Sequence, residues 1–121
     1  MRFQLSLLAV PALAVLALVG SPAVLPGSQA KAACHPQTFH DERQEGGVCC
    51  FPDHFHSGAS SGAATKAKAT IEAVRAWEDF VYFEYGNSYD HWSMARSKSV
   101  SCSTSNGWSC TVEARACHRA G

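Results

Sequence analysis

The stretch VCCFPDHFHSG, residues 48–58, sets two adjacent cysteines beside two histidines one residue apart. It can be read as a metal site, as a redox pair, or as two disulfide anchors with histidines nearby. Around it, residues 33–56 hold three cysteines, four histidines and two prolines. Pro36, Pro52 and the pair Gly46-Gly47 punctuate the segment, and neither a helical nor a strand period runs through it. The segment therefore reads as an arm of loops and short extended pieces. Residues 57–65, SGASSGAAT, read as a small-residue linker to the rest of the chain.

Upstream, the chain opens with Arg2, an apolar run from Leu5 to Val19, and then Gly20, Pro22 and Pro26. This is the layout of a secretory signal sequence. Ser28-Gln29-Ala30 and Ala30-Lys31-Ala32 both fit a small-x-small cleavage site, and cleavage after Ala32 is favoured. The run falls short of the ~20 residues that span a bilayer, which argues against an uncleaved anchor. Lys31, three before Cys34, argues against lipidation at that cysteine. The expected division is then a signal peptide at 1–32, the arm at 33–56, the linker at 57–65 and a body at 66–121.

Of the 121 residues, 89 remain after removal of 32. Ten basic residues less Arg2 and Lys31 leave eight against ten acidic ones, a formal charge of −2. No basic stripe exists to recruit nucleic acid or a membrane surface. All six cysteines, Cys34, Cys49, Cys50, Cys102, Cys110 and Cys117, survive cleavage. A small exported chain with an even cysteine count reads as a disulfide scaffold working in the periplasm or outside the cell.

The body opens with a helix starting near Ala63 or Ala64 and stopped by Gly86, a candidate for the left-handed position after the last turn. Ala67, Ile71, Val74, Trp77, Val81 and Tyr85 share one side of it, with Tyr82 beside them. NSYDHWSMARS, 87–97, reads as a second, short helix capped by Asn87 or Ser88. KSVSCSTSNGWSCTVEA, 98–114, reads as strand, turn, strand. A three-residue loop Ser105-Asn106-Gly107 with Gly107 left-handed puts Cys102 opposite Cys110. A two-residue Asn-Gly turn would put Ser103 there instead. The expected fold class is α+β: a long helix, a short helix and a β-hairpin, with the arm tied on by disulfides.

Opposed hairpin residues are close enough for a disulfide, so Cys102–Cys110 is expected. Cys117 lies an odd number of residues beyond Cys110 and points to the other face if the strand continues. It can take Cys49 or Cys50, leaving the other for Cys34. Adjacent Cys49 and Cys50 are not expected to pair with each other.

For chemistry, His54 and His56 share a face if extended, and His35 and His40 lie in the same arm. These four are the candidate zinc or copper ligands. No cysteine pair has zinc-knuckle spacing, however, and an oxidising compartment removes thiols from metals. No pair has the two-residue gap of a thiol–disulfide catalyst either. Glu78, Asp79, Glu84, Asp90 and His91 gather near the helix ends, where a small hydrolase would need a pair fixed across a cleft. No catalytic residue and no cofactor are assigned. Phe80 and Phe83 lie off the main apolar stripe: either the arm covers them, which is preferred, or they form a patch for a partner.

His54-x-His56 with Gly58, Trp77, Glu84-Tyr85-Gly86, Trp92, Ala95, Lys98, Cys102, Trp108, Cys110, Ala114 and Cys117 together resemble the pattern of a group of small exported bacterial proteins of unknown function. The resemblance covers about 54–118. Ala116 stands where a proline would be expected, and 33–53 has no counterpart. It implies export and a shared fold, and no activity. The expected function is a secreted or periplasmic, disulfide-stabilised binding or structural module for a protein or envelope ligand. A metal-binding protein is the alternative, and a small secreted hydrolase the third.

Overall fold

The computed structural model describes residue 34 and residues 40–121. The expected signal sequence, and His35 among the candidate ligands, lie outside the described residues. The elements run β1 (Arg43–Glu45), β2 (Val48–Ala59), α1 (Lys66–Tyr85), β3 (Arg96–Thr104) and β4 (Trp108–Arg119). The strands form one antiparallel sheet in the order β1-β2-β4-β3. Helix α1 packs against β2 and β4, so the fold is α+β as expected.

The principal correction concerns the quoted stretch. Residues 48–59, read as loops running into a linker, are one strand in the middle of the sheet. Its alternation is hidden by a bulge. Cys50 pairs with Cys117 and Phe55 with Arg115, so four residues of β2, 51–54, lie opposite Ala116 alone. Three extra residues reverse the strand's parity. Cys50 and Phe55 therefore share the face away from the helix, while Phe51, His54 and His56 meet Tyr85 of α1. Pro52, which cannot donate to a ladder, sits within the bulge.

Thr65 caps α1, its hydroxyl accepting from the Lys68 amide at 3.1 Å. The helix thus starts at Lys66 rather than at Ala63 or Ala64, and Ala63 instead bridges to Trp108. Its buried stripe is also rotated from the expected one. Ala69, Ala73, Trp77 and Val81 are buried, whereas Ile71 and Tyr82 are exposed. Large residues mark a wheel; here the small ones carry the packing, because two alanines let the sheet come close. Gly86 takes φ 86° and ψ −179°, a glycine conformation but not the left-handed helical one.

The second helix is absent: 87–89 and 92–94 are turns, and β3 begins at Arg96. Tertiary partners hold the segment in this form. The Glu78 carboxylate accepts from the Trp92 amide at 3.1 Å. Tyr89 stacks on Phe51 and donates to Glu42 at 2.6 Å.

In the hairpin, Thr104 faces Trp108 and Cys102 faces Cys110, the register of the three-residue loop. Gly107 has φ +86°, and a Cβ there would stand 2.9 Å from the Gly62 carbonyl carbon. The cysteines pair Cys34–Cys49, Cys50–Cys117 and Cys102–Cys110. Three disulfides in so small a chain are the covalent pattern of proteins that mature in an oxidising compartment. Among the described residues no helix is long and apolar enough to cross a membrane.

The main core lies between α1 and the sheet, around Trp77, Phe51, Val112 and Ala114. A smaller cluster on the other face joins Val48, Met94 and the Cys50–Cys117 bridge. Beside it Arg115, 5 % exposed, donates from both terminal nitrogens to Glu45 at 2.7 and 2.8 Å. Its remaining donors reach Ser97.

Candidate functional site

The bulge in β2 aims His54 and His56 at the C-terminal end of α1, where Glu84 and Tyr85 stand. His56 Nε2 lies 2.9 Å from the Tyr85 hydroxyl and 3.4 Å from Glu84 Oε2. The same hydroxyl lies 3.4 Å from His54 Nδ1. His40, from the segment before β1, sets its ring edge-on to His54 with centroids 4.2 Å apart. These five residues line a hollow of about 260 Å³.

The hydroxyl has one proton to share among two imidazole nitrogens and a carboxylate. Burial lowers the pKa of His56 below the ordinary 6.5; Glu84 works against that shift and His54 adds to it. The ring is therefore neutral at pH 7. Tyr85 is pushed up to about 12, first by burial and then by the Glu84 charge, so it remains a phenol. Among the described residues, no lysine or arginine lines the hollow.

The structure thus gathers three of the four candidate ligands, His40, His54 and His56. Glu84, which the sequence offered only as a possible acid or base, is brought to the same place. Its signal is the local Glu84-Tyr85-Gly86 run that ends the helix. The other acidic candidates have different surroundings. Glu78 holds the Trp92 amide, Asp79 is exposed, and Asp90 sits 3.6 Å from His91.

Phe80 and Phe83 are not covered as preferred: they are 45 % and 85 % exposed. The Phe80 ring lies 5.3 Å from that of His56, so it borders the hollow.

A second polar group was not legible in the sequence. The Glu42 carboxylate, its side chain 1 % exposed, accepts from Tyr89 and lies 3.2 Å from His118 Nε2. The sulfurs of Cys34 and Cys49 lie within 4.8 Å of it. Those sulfurs are bonded to each other, so they offer no thiolate to a metal. His118 also lines a second hollow of about 410 Å³ with His91, Arg119 and Asn87.

Compared with protein-family models, with curated proteins and with solved structures, the chain matches none.

Proposed function

We propose that the protein is an exported, disulfide-locked binding module, and that the hollow at the end of α1 holds a small, positively charged ligand. The observation that carries this is the convergence of His54, His56 and Glu84 on the Tyr85 hydroxyl, in a hollow that no lysine or arginine lines among the described residues. One carboxylate beside the neutral His56 ring and the Tyr85 phenol favours a cation over an anion. The resemblance to small exported proteins supports the export in this reading and carries no activity. Phe80 offers an apolar edge to any organic part of the ligand, or to a protein partner reaching across Phe83.

The test is a titration of the metal-free, oxidised chain followed by NMR of the histidine and tyrosine rings. Methylammonium and choline, with chelator present, and divalent metal ions in a separate series, supply the cations. Acetate and phosphate supply the anions. Shifts at His54, His56 and Tyr85 with a cation and none with the anions are expected. Rings unmoved by every cation would end the proposal. Export is tested separately by N-terminal sequencing of the mature protein, which should begin at Ala33.

A further inference from the structure

We propose that His54, His56 and Glu84 bind a divalent transition-metal ion, zinc or copper, at the place the Tyr85 hydroxyl now occupies. The proposal rests on the ligand hollow assigned above and names the cation it takes.

Three features point there. First, His56 Nε2 and Glu84 Oε2 are 3.4 Å apart. Two donors each about 2.0–2.1 Å from a tetrahedral zinc stand about that far from each other. Second, the Tyr85 oxygen is within 2.9 Å of His56 Nε2 and 3.4 Å of His54 Nδ1. A single polar atom thus already marks a point that both imidazoles face. An ion arriving there would turn the phenol aside and draw the two rings inward. Third, the donor set is two nitrogens and one carboxylate oxygen. That set suits zinc and copper(II), whereas calcium and magnesium require more oxygen ligands. A fourth position is left for water or for His40, whose ring touches His54.

The competing place, Cys34 with Glu42 and Cys49, has its donors closer together. Its sulfurs are consumed in a disulfide, and its carboxylate is already engaged by Tyr89 and His118. The histidine hollow has no donor consumed in a covalent bond, and its carboxylate, Glu84, is paired with His56 and Tyr85, the groups the ion would rearrange.

The experiment is calorimetric titration of Zn²⁺ and Cu²⁺ into the full mature chain, untagged, with all three disulfides verified by mass. One ion per chain at micromolar affinity or better is expected, with copper the tighter. His56→Gln and Glu84→Gln should each weaken binding at least about tenfold. The Cu²⁺-loaded wild type should show hyperfine coupling to two imidazole nitrogens, which tests the ligands even where a variant fails to fold. Two results overturn the proposal: no binding at millimolar metal, or binding that survives the double substitution His54→Gln/His56→Gln. If metals leave the rings unmoved while choline or methylammonium shifts them under chelator, the metal assignment fails and the ligand hollow stands. If nothing moves them, both fail.

Discussion

Gly58 of β2 lies directly on the backbone of α1 at Ala73. A Cβ built on Gly58 would stand 2.1 Å from the Ala73 carbonyl oxygen and 2.4 Å from the Trp77 amide nitrogen. Neither neighbour is a flexible side chain, so strand or helix must move to admit a methyl group. Gly58→Ala should cost about 3 kcal/mol or more, read as a lower urea midpoint at pH 7. It should also disturb the rings of His56 and Tyr85, because the same contact sets the distance between β2 and the helix end. An unchanged midpoint would show that the two backbones are not in contact.

The ion pair between Arg115 and Glu45 predicts acid sensitivity. The Arg115 hydrogen bonds hold the Glu45 carboxyl down at about 2, from an ordinary 4.5. A depressed carboxyl contributes stability that is complete above the unfolded value and is lost as pH falls through the folded one. Unfolding free energy should therefore drop between about pH 4.5 and pH 2, by up to about 3 kcal/mol. Glu45→Gln should remove most of that slope. At pH 7 it should also cost about 2–3 kcal/mol, because Arg115 stays buried without its counter-charge. Denaturation midpoints across that range, compared between the two proteins, check both statements.

In the metal-free chain, His56 should titrate below 6.5, since burial opposes its charged form. A base depressed in the folded state contributes stability above its unfolded pKa that is lost as the solution is acidified through the folded one. Glu84→Gln should push the His56 titration lower still, by removing the charge that favours imidazolium. The same substitution should bring Tyr85 down from about 12. Ring NMR titration reads both shifts. A His56 midpoint at or above 6.5 would contradict the buried placement.

Two of the three disulfides should differ in worth. Cys50–Cys117 closes a separation of 67 residues and Cys102–Cys110 one of 8. Loop-closure entropy makes the first worth about 4 kcal/mol and the second about 2.5. Cys50→Ala/Cys117→Ala should thus lower the melting temperature more than Cys102→Ala/Cys110→Ala. The reverse order would place the covalent anchor of the sheet elsewhere.

The legible parts of the fold share a property. The register of the last hairpin follows from three loop residues between its strands, and Cys102 faces Cys110 accordingly. The long helix follows from the 3.6-residue recurrence between Ala63 and Gly86, although alanines, not the large residues, form its buried stripe. The short helix failed because its donors found distant partners, among them Glu78 for the Trp92 amide. Strand β2 was missed because the bulge at 51–54 breaks its alternation, so a central strand reads as an irregular arm.

The sequence by itself determined a disulfide-based chain, one long amphipathic helix and a locally encoded hairpin, all set by composition or by residues a few positions apart. Only the tertiary structure decided that VCCFPDHFHSG is the strand beneath the helix, and that its two histidines meet Glu84 and Tyr85. Those contacts join residues about thirty positions apart. They depend on how closely Gly58 lets a strand approach a helix and on which face an odd-numbered bulge leaves each side chain. Neither quantity is written in local periodicity.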